Sequence, residues 1–472
     1  MWRIIAVFAA LFIGWWLVLW GLLPASWNRL TLGALLIIYL VPPLLAGLGW
    51  LAWRGKQAKR DAAAQAAAER QAEDERQAKR AAAREQHLSD LAQRQQTITC
   101  RMVLARATSG RAPAAWLGEE PDFCLWQTIE PRTLLPGGPL ESLADEITSL
   151  LTQLYDTAPG TGWLPLFLLA LPNEAGQTQL NHIGELAAQA MSGISVDAAL
   201  PTPTVRFLPG SGAIAERVQQ VLLQEPALPG LIVLAADAPV SQTDPDDEPD
   251  AESRARRAWS GEPGAAVVAL VFLRDGLAEP LTSELAKTNP ADPYQPYWEK
   301  DLNRPNGDWG TIPNAYQPAL ASLPCLARLS MPVGRDTPHP PDIKLNALIQ
   351  AALDNALVNA ALVDYPFSEE ERDPAKDQAA SIAWLVHNSG DAHVGGTRLA
   401  ALSNALSNHQ TAINPIDQAS NLVREWGDTG HSTPALATAL AITHCARLSA
   451  PVVLSHFESN HLSIGVATPA TA

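Results

Sequence analysis

The chain has 472 residues, a net charge of −16 and four cysteines. Its acidic balance argues against nucleic acid as a partner, because a negative surface repels phosphates unless a local basic patch is present. The cysteines lack the spacing of a zinc site or a disulfide framework, so we expect reduced thiols, no metal and no cofactor.

Two apolar segments open the chain, at residues 4–23 and 30–53. Each is about as long as the 20 residues that a helix needs to cross a bilayer. Four positive charges follow the second segment at 54–60, which places both ends on the cytoplasmic side. A signal peptide is the alternative, but a second apolar segment follows the first directly. We therefore predict a transmembrane hairpin over residues 1–53, a multi-pass inner-membrane protein, and a soluble body in the cytoplasm.

A charged stretch follows the hairpin at residues 54–98. It consists almost entirely of Ala, Gln, Arg, Lys and Glu, without Gly or Pro between residues 56 and 94, and this composition has high helix propensity. Its apolar positions are nearly all Ala and form no sustained Leu or Ile heptad. We predict a polar helical stalk rather than a dimerisation zipper, although a coiled coil stays open.

Short apolar runs alternate with helical patterns after residue 98, which indicates an α/β body. We divide it into an N-terminal α/β half at 99–240, a charged loop or linker at 241–262, and a C-terminal α/β half at 263–472. The predicted strands are 164–171, 204–208, 231–236, 265–273, 382–386, 452–456 and 462–466. The predicted helices are 140–155, 213–223, 343–357, 397–407 and 434–448.

A polar segment at residues 288–316 is unusually rich in Pro, Asn and aromatic residues. Exposed Trp and Tyr side chains are costly without a role, so these rings are either packed into the body or offered to a partner. We take Tyr294, Tyr297, Trp298 and Trp309 as candidate partner-binding residues.

A glycine-flanked serine, Gly210-Ser211-Gly212, lies between a predicted strand and a predicted helix. Backbone N–H groups at such a junction can hold a phosphate. The segment lacks the Lys and the glycine spacing of a P-loop, so a plain tight turn is the simpler interpretation.

Two histidine-bearing turns lie at predicted element ends, His387-Asn388-Ser389-Gly390 and Gly427-Asp428-Thr429-Gly430-His431-Ser432. They resemble the two histidine loops of thiolase-fold ketosynthases, and the strand at 231–237 also looks like that fold. The resemblance implies a cysteine thiolate at a helix start as nucleophile, and no cysteine follows Asp237 where we expect it. We therefore regard His387 and His431 as a vestigial site and predict no catalytic residue.

The overall layout resembles the type VI lipase adapter family over residues 99–472. The resemblance rests on the N-terminal apolar segment, Gly162-Trp163-Leu164-Pro165-Leu166, the strand at 231–237, and Glu425-Trp426-Gly427-Asp428-Thr429-Gly430. It implies an adapter, not an enzyme, that captures a phospholipase effector in the cytoplasm for loading onto the secretion spike, with the effector and a spike protein as partners. The alternative is an enzyme of thiolase-like ancestry that acts at the membrane with an atypical active site.

Overall fold

The computed structural model describes the chain in two compact units, Met1–Ser89 and Asp90–Ala472. The described residues are 2–22, 31–112, 114–130, 135, 137–172, 174–194, 202–226, 228–239, 251–274, 312, 316–337, 344–364, 378–458 and 460–470.

The first unit contains two helices, α1 (Trp2–Leu22) and most of α2 (Leu32–Arg94). Among the described residues, α2 holds one stretch that is long and apolar enough to cross a membrane, by length and composition alone, whereas the apolar stretch in α1 is shorter. The indole N–H of Trp15 donates to the Ile38 carbonyl at 2.9 Å, so the two helices are in contact. One long apolar helix is thus available as a membrane anchor.

The charged stretch predicted as a stalk forms the C-terminal two-thirds of α2. Its side chains are exposed without interruption from residue 52 to residue 86, as expected for a helix built from Ala and charged residues. The last turn belongs to the second unit, where the Arg94 guanidinium donates to the side-chain oxygens of Asn359 at 3.0 Å and Asn355 at 2.9 Å.

The second unit is an α/β body around one mixed sheet, so the predicted fold class is confirmed. Its strands are β1 (Thr97–Thr108), β2 (Cys124–Ile129), β3 (Leu166–Leu168), β4 (Val205–Phe207), β5 (Gly230–Asp237), β6 (Ala266–Leu273), β7 (Ala327–Ser330), β8 (Val333–Asp336), β9 (Trp384–His387), β10 (Ala419–Asn421), β11 (Val452–Phe457) and β12 (His461–Thr468). Its helices are α3 (Pro139–Ser142), α4 (Ala144–Thr157), α5 (Gly176–Ser192), α6 (Ile214–Gln224), α7 (Ala251–Ser260), α8 (Gln317–Ala321), α9 (Lys344–Asn359), α10 (Ala392–Asn408), α11 (Leu422–Glu425) and α12 (Thr433–Leu448).

The strand order reveals an internal repeat. The sheet runs β10-β9-β11-β12-β7-β1-β6-β5-β3-β4, with β2 beside β1 and β8 beside β12. When β2 and β8 are left out, each half has five strands. Across the sheet, both halves then show the same order, with the third strand at the outer edge, followed by the second, fourth, fifth and first. In both halves the second, third and fourth strands are parallel and the fifth is antiparallel to its two neighbours. The halves meet where β1 and β7 pair antiparallel.

This repeat determines where sites can form. Helices connect the parallel strands of each half, so the carboxyl ends of β3, β4 and β5 share one edge of the sheet, and those of β9, β10 and β11 share another. Ligands in open α/β sheets bind outside the carboxyl ends of the strands. The loops after β4, β9, β10 and β11 are therefore the places to examine.

Three apolar clusters hold the body together. Helices α4 and α5 cover one face of the first half, α12 lies against the opposite face at the centre, and α9 and α10 cover the second half. Strands β5 and β6 are buried along their whole length, which explains their continuous apolar sequences.

Several elements differ from the sequence prediction. Strand β6 lies beyond the linker predicted at 241–262, yet it pairs with both β5 and β1, so the first half of the sheet extends to Leu273. Part of that linker forms α7, whose charged residues stay on its surface. Strands β1, β2 and β7 and helix α5 carry polar residues among the apolar ones, and their pattern did not indicate them.

Candidate functional site

Two cavities lie at loops that follow parallel strands. The first, which we call the Ser211 cavity, has a volume of about 500 Å³ and lies between the first turn of α6, one side of α12 and the β11–β12 hairpin. The second, the His387 cavity, has a volume of about 830 Å³ and lies at the ends of β9 and β10.

Ser211 projects from a sharp turn between β4 and α6. The glycines on either side of it, Gly210 and Gly212, have φ values of 82° and 116°, a region that only glycine adopts readily. The half-buried Arg217 guanidinium donates to the carbonyls of Leu208 and Pro209, which fixes the turn against the helix. The serine itself stays exposed and lines the cavity.

The first turn of α6 also lines this cavity. Ala213 at its N-cap has no side chain that could accept a hydrogen bond, and the structure gives no side-chain cap. The first N–H groups of a helix have no partner within the helix. The backbone donors that follow Ser211 are thus available to a ligand oxygen.

His456 lines the same cavity from the end of β11. Its Nε2 lies 3.6 Å from Oε1 of Glu458, and this contact is the main reason why the pKa of the Glu458 carboxyl is lowered. Its Nδ1 is buried and has no hydrogen-bond partner among the described residues. A proton on Nε2 facing the carboxylate leaves Nδ1 as a free acceptor.

A second histidine closes the other side of the Ser211 cavity. The Nδ1 atom of His461 lies 3.1 Å from Oδ1 of Asp336, and its ring packs on Gly334, where a Cβ atom would come within 2.7 Å of Nε2. The cavity therefore combines a hydroxyl, two histidine–carboxylate pairs and an apolar wall. That wall includes Leu329, Pro332, Ala437, Ala441 and Leu454.

His387 lines the other cavity from the last position of β9. It is 1% exposed, and its Nδ1 lies 2.9 Å from the Ser389 hydroxyl and 3.4 Å from the Ser389 N–H. Burial lowers the pKa of His387 to about 4. The imidazole is therefore neutral at pH 7, with Nδ1 accepting hydrogen bonds from Ser389.

Glu425 is one of several further ionisable groups that line the His387 cavity, beside Glu119, Asp417, Arg424 and Arg447. Burial raises the pKa of its carboxyl to about 7, against the backbone N–H of Asn421, which donates to Oε1 at 3.3 Å. Its Oε2 is buried with no partner in the part of the chain that the structure describes. At neutral pH this carboxyl is thus close to half protonated.

An aromatic wall borders this cavity. The Trp384 ring stacks on His444 at 4.5 Å between centroids, and Trp116 meets the same imidazole edge-on at 5.0 Å. The Ser420 hydroxyl joins Trp384 and His444, because it lies 3.0 Å from His444 Nε2 and 3.1 Å from the Trp384 indole nitrogen. Trp384, Ser420 and His444 are thus joined by hydrogen bonds, whereas the buried indole nitrogen of Trp116 has no partner among the described residues.

The structure separates the two histidines singled out in the sequence. His387 lines its own cavity, whereas the side chain of His431 is exposed at the start of α12. The backbone N–H of His431 donates to Asp237 at 2.7 Å, and its charge acts on Glu458 beside the Ser211 cavity. The candidate partner-binding residues Tyr294, Tyr297, Trp298 and Trp309 lie outside the described residues.

The thiols stand apart from both cavities. Neither set of lining residues in the described chain includes a cysteine. Burial raises the pKa of Cys124 and Cys445 to about 12 and that of Cys100 still further above its ordinary value, while Cys325 is half-buried. The described residues also contain no cluster of His, Cys, Asp and Glu suited to a metal ion.

Sequence reasoning did not identify His456, Glu458 and His461. Their spacing of two or three residues is that of a strand entering a hairpin, which carries no catalytic signature by itself. The one available signal was Ser211 between two glycines, and the histidines that join it come from a segment more than 240 residues away.

No protein-family model matches the chain, and no curated protein matches it. The resemblance to type VI lipase adapters thus has no support from either comparison.

Solved structures do match, at low similarity. A ketosynthase from module 1 of the bacillaene synthase of Bacillus amyloliquefaciens is 8% identical, with a TM-score of 0.42, over 80% of this chain and 74% of that one. Human mitochondrial 3-ketoacyl-CoA thiolase is 10% identical, with a TM-score of 0.41, over 80% of this chain and 100% of that one. 3-Oxoacyl-(acyl carrier protein) synthase III from Pseudomonas aeruginosa is 13% identical, with a TM-score of 0.34, over 80% and 100%.

These matches are to ketosynthases and thiolases, the weaker of the two resemblances seen in the sequence. Every named protein is an enzyme, which contradicts our expectation of a protein that is not an enzyme, and we withdraw that expectation. The similarity is too low to indicate a reaction, so the chemistry must be argued from the residues of this chain.

Proposed function

We propose that this protein is a membrane-tethered enzyme of thiolase-like ancestry that transfers or hydrolyses acyl groups, with Ser211 as its nucleophile. One observation carries the proposal. Ser211, which is exposed, and His456, whose Nδ1 is buried without a partner among the described residues, line the same cavity. A nucleophile, a base and a group that orients the base are the three parts that acyl transfer requires.

Each part has a defined role in the proposed step. The Ser211 oxygen attacks the carbonyl carbon of an acyl ester or thioester while His456 Nδ1 takes the hydroxyl proton. Glu458, next to Nε2, stabilises the imidazolium that forms. When the bond to the alcohol or thiol breaks, the leaving group takes this proton back, and the acyl group remains on Ser211 until water or an acceptor removes it.

The helix start supports the same assignment. The tetrahedral intermediate carries a negative oxygen, and uncapped N–H groups at the first turn of α6 are donors suited to it. The helix dipole adds to this stabilisation. The tight turn at Gly210-Ser211-Gly212 thus has a chemical purpose beyond reversing the chain.

A covalent probe tests the proposal without knowledge of the natural substrate. The full chain in detergent micelles is treated with an alkyl fluorophosphonate, which reacts with activated serines, and the adduct is located by peptide mass spectrometry. We expect the adduct on Ser211. The His456→Gln variant should react about 100-fold or more slowly, since a general base contributes about 10²–10⁴-fold.

Matched variants make the result specific. Ser463→Ala removes another hydroxyl from the same cavity and should leave labelling unchanged, whereas Ser211→Ala should abolish it. Thermal unfolding of each variant verifies the fold. Labelling of Ser389 instead would shift the site to the His387 cavity, and absence of any adduct on a folded protein would refute Ser211 as nucleophile.

The location of the enzyme is part of the proposal. The apolar part of α2 would anchor it in the inner membrane as one span of the hairpin, with the body in the cytoplasm. A reporter that is active only in the cytoplasm should be active when it is fused after Ala472. Activity of a periplasmic reporter at that position would place the body on the other side.

Effector capture stays a prediction. It depends on Tyr294, Tyr297, Trp298 and Trp309, which lie outside the described residues. Changing Trp298 and Trp309 to Ala should reduce co-purification of a bound lipase or spike protein from membranes, because aromatic anchors carry a large share of interface energy. Undiminished co-purification with unchanged thermal stability would remove these residues from any interface.

A further inference from the structure

Three arginines that are far apart in the sequence converge beside the His387 cavity. Arg111 follows β1, Arg257 lies on α7 and Arg424 on α11, and together with Glu262 and Asp391 they line a recess of about 210 Å³, the arginine pocket. Among the lining residues that the structure describes, three positive charges face two negative ones. In a chain of net charge −16, the fold thus assembles the local basic patch that the linear sequence lacks.

The pocket is held by the backbone. The N–H of Gly110 donates to the Glu425 carbonyl at 2.6 Å, and that of Ala112 donates to the Arg424 carbonyl at 3.0 Å. A Cβ atom on Gly110 would lie 2.4 Å from the same Arg424 oxygen, so only glycine allows this approach. The segment carrying Arg111 is therefore docked on α11 before any ligand arrives, which reduces the entropic cost of binding.

The arginines differ in their partners. Arg257 lies 2.9 Å from Glu262, which also pairs with Arg111, and Arg111 reaches Asp391 at 3.8 Å. Arg424 is exposed and has no ion pair among the described residues. Its charge also acts on the neighbouring Glu425 carboxyl, but within the described chain it has no ion pair that a ligand would have to break.

The arginine pocket continues into the His387 cavity. Ala112 and Arg424 line both spaces. The apolar lining of the larger cavity is formed by Trp116, Trp384, Leu399, Pro415, Ile416 and Leu448. A positively charged recess that opens into a large, mostly apolar cavity matches a ligand with a negative head and an apolar body.

We infer that the arginine pocket and the His387 cavity together bind a small amphiphilic anion. The phosphate or carboxylate head lies among Arg111, Arg257 and Arg424, and the apolar body enters the His387 cavity. An arginine guanidinium recognises both kinds of oxyanion through paired hydrogen bonds. This site is separate from the Ser211 cavity and does not depend on the chemistry proposed there.

Calorimetric titration of the full chain in nanodiscs tests the inference, with empty nanodiscs as the blank. The probes are n-octyl phosphate, octanoate, octanol and inorganic phosphate. We expect octyl phosphate to bind at least tenfold more tightly than either octanol or inorganic phosphate, since each of these lacks one part of the ligand. Comparison of octyl phosphate with octanoate shows which oxyanion head is preferred, and either preference supports the site.

Two variants test separately how the anionic head and the apolar body of the ligand contribute to binding. Arg424→Ala should weaken octyl phosphate about tenfold, whereas Arg335→Ala, which removes an exposed charge from β8, should not. Gly396→Leu should fill the cavity and reduce octyl phosphate to the affinity of inorganic phosphate, because a Cβ at Gly396 meets nothing within 4 Å. Binding that survives Arg424→Ala, or octanol that binds as tightly as octyl phosphate, would overturn the inference.

Discussion

The two halves of the body share one strand order but differ in what they bury. In the first half, β5 and β6 form a sheet centre that is almost entirely aliphatic, with Asp237 at its edge. In the second half, β9, β10, β11 and helix α12 bury the imidazoles of His387 and His444 and the hydroxyls of Ser420 and Ser455. The comparison teaches that one copy of a duplicated scaffold can keep an aliphatic sheet centre while the other places buried polar groups on its parallel strands, and each such group costs stability unless it is fully partnered.

The largest expected effect tests the first half as the stabilising one. Leu234 in the centre of β5 is fully buried, and its replacement by Ala should lower the free energy of unfolding by about 2–5 kcal/mol through lost burial and a cavity. Urea denaturation followed by circular dichroism measures the change. A cost below 1 kcal/mol would mean that β5 does not form the stabilising centre of the sheet.

Glu425 should make the second half less stable as the pH rises from about 4.5 to 7. Its pKa of about 7 in the folded protein lies above the ordinary 4.5, so the unfolded chain loses this proton at lower pH and the folded state loses stability as pH rises from about 4.5 to 7. The loss amounts to about 3 kcal/mol, from 1.36 kcal/mol per pKa unit. Chemical denaturation of the wild type and of Glu425→Gln across this pH range should show this loss of unfolding free energy only in the wild type. Parallel curves would place the carboxyl in a solvated environment.

His387 should respond in the opposite direction. Its pKa of about 4 lies below the ordinary 6.5, so the contribution present above pH 6.5 is lost as pH falls toward 4, by a similar amount of about 3 kcal/mol. The difference in unfolding free energy between wild type and His387→Gln, followed from pH 7 to pH 4, isolates this term. We expect the advantage of the wild type to shrink steadily. A constant difference would show that the imidazole is protonated at the same pH in both states.

The smallest effect should come from Ser455. It lies on β11, the fourth strand of the second half, as Leu234 lies on β5, the fourth strand of the first half. Its hydroxyl oxygen is buried without a partner in the described chain, so Ser455→Ala removes an unsatisfied group rather than a contact. Stability should stay unchanged or rise by about 1 kcal/mol. A loss above that amount, measured by the same urea denaturation, would indicate a hidden hydrogen bond and weaken the contrast between the halves.

Local pattern predicted much of this fold and little of its sites. The aliphatic runs that became β5 and β6 follow from burial, and helix α12, with Pro434 in its first turn, follows from helix-start rules. Strand β1 escaped detection because Thr, Arg and Cys alternate among its apolar residues, although nearly all of them are buried between neighbours. Burial between neighbouring elements therefore outweighs the local β propensity of this segment.

The sites depend on long-range convergence, which spacing in the sequence does not encode. Ser211 was visible as a turn, but its meaning comes from His456 on the opposite half. Arg111, Arg257 and Arg424 are separated by more than 140 residues at each step and meet only because Gly110 and Gly261 let the backbone segments touch. His387 was recognised because it closes an apolar strand, and that signal is local.

The buried cysteines have a consequence for experiments in living cells. Because the pKa values of Cys124 and Cys445 are near 12, and that of Cys100 is raised further, their thiolate forms are scarce at physiological pH and react poorly with oxidants or alkylating agents. Their reaction with a thiol reagent therefore requires the core to open. The half-buried Cys325 should thus be modified first. The order in which Cys100 on β1, Cys124 on β2 and Cys445 on α12 are modified afterwards would report which part of the core opens most often.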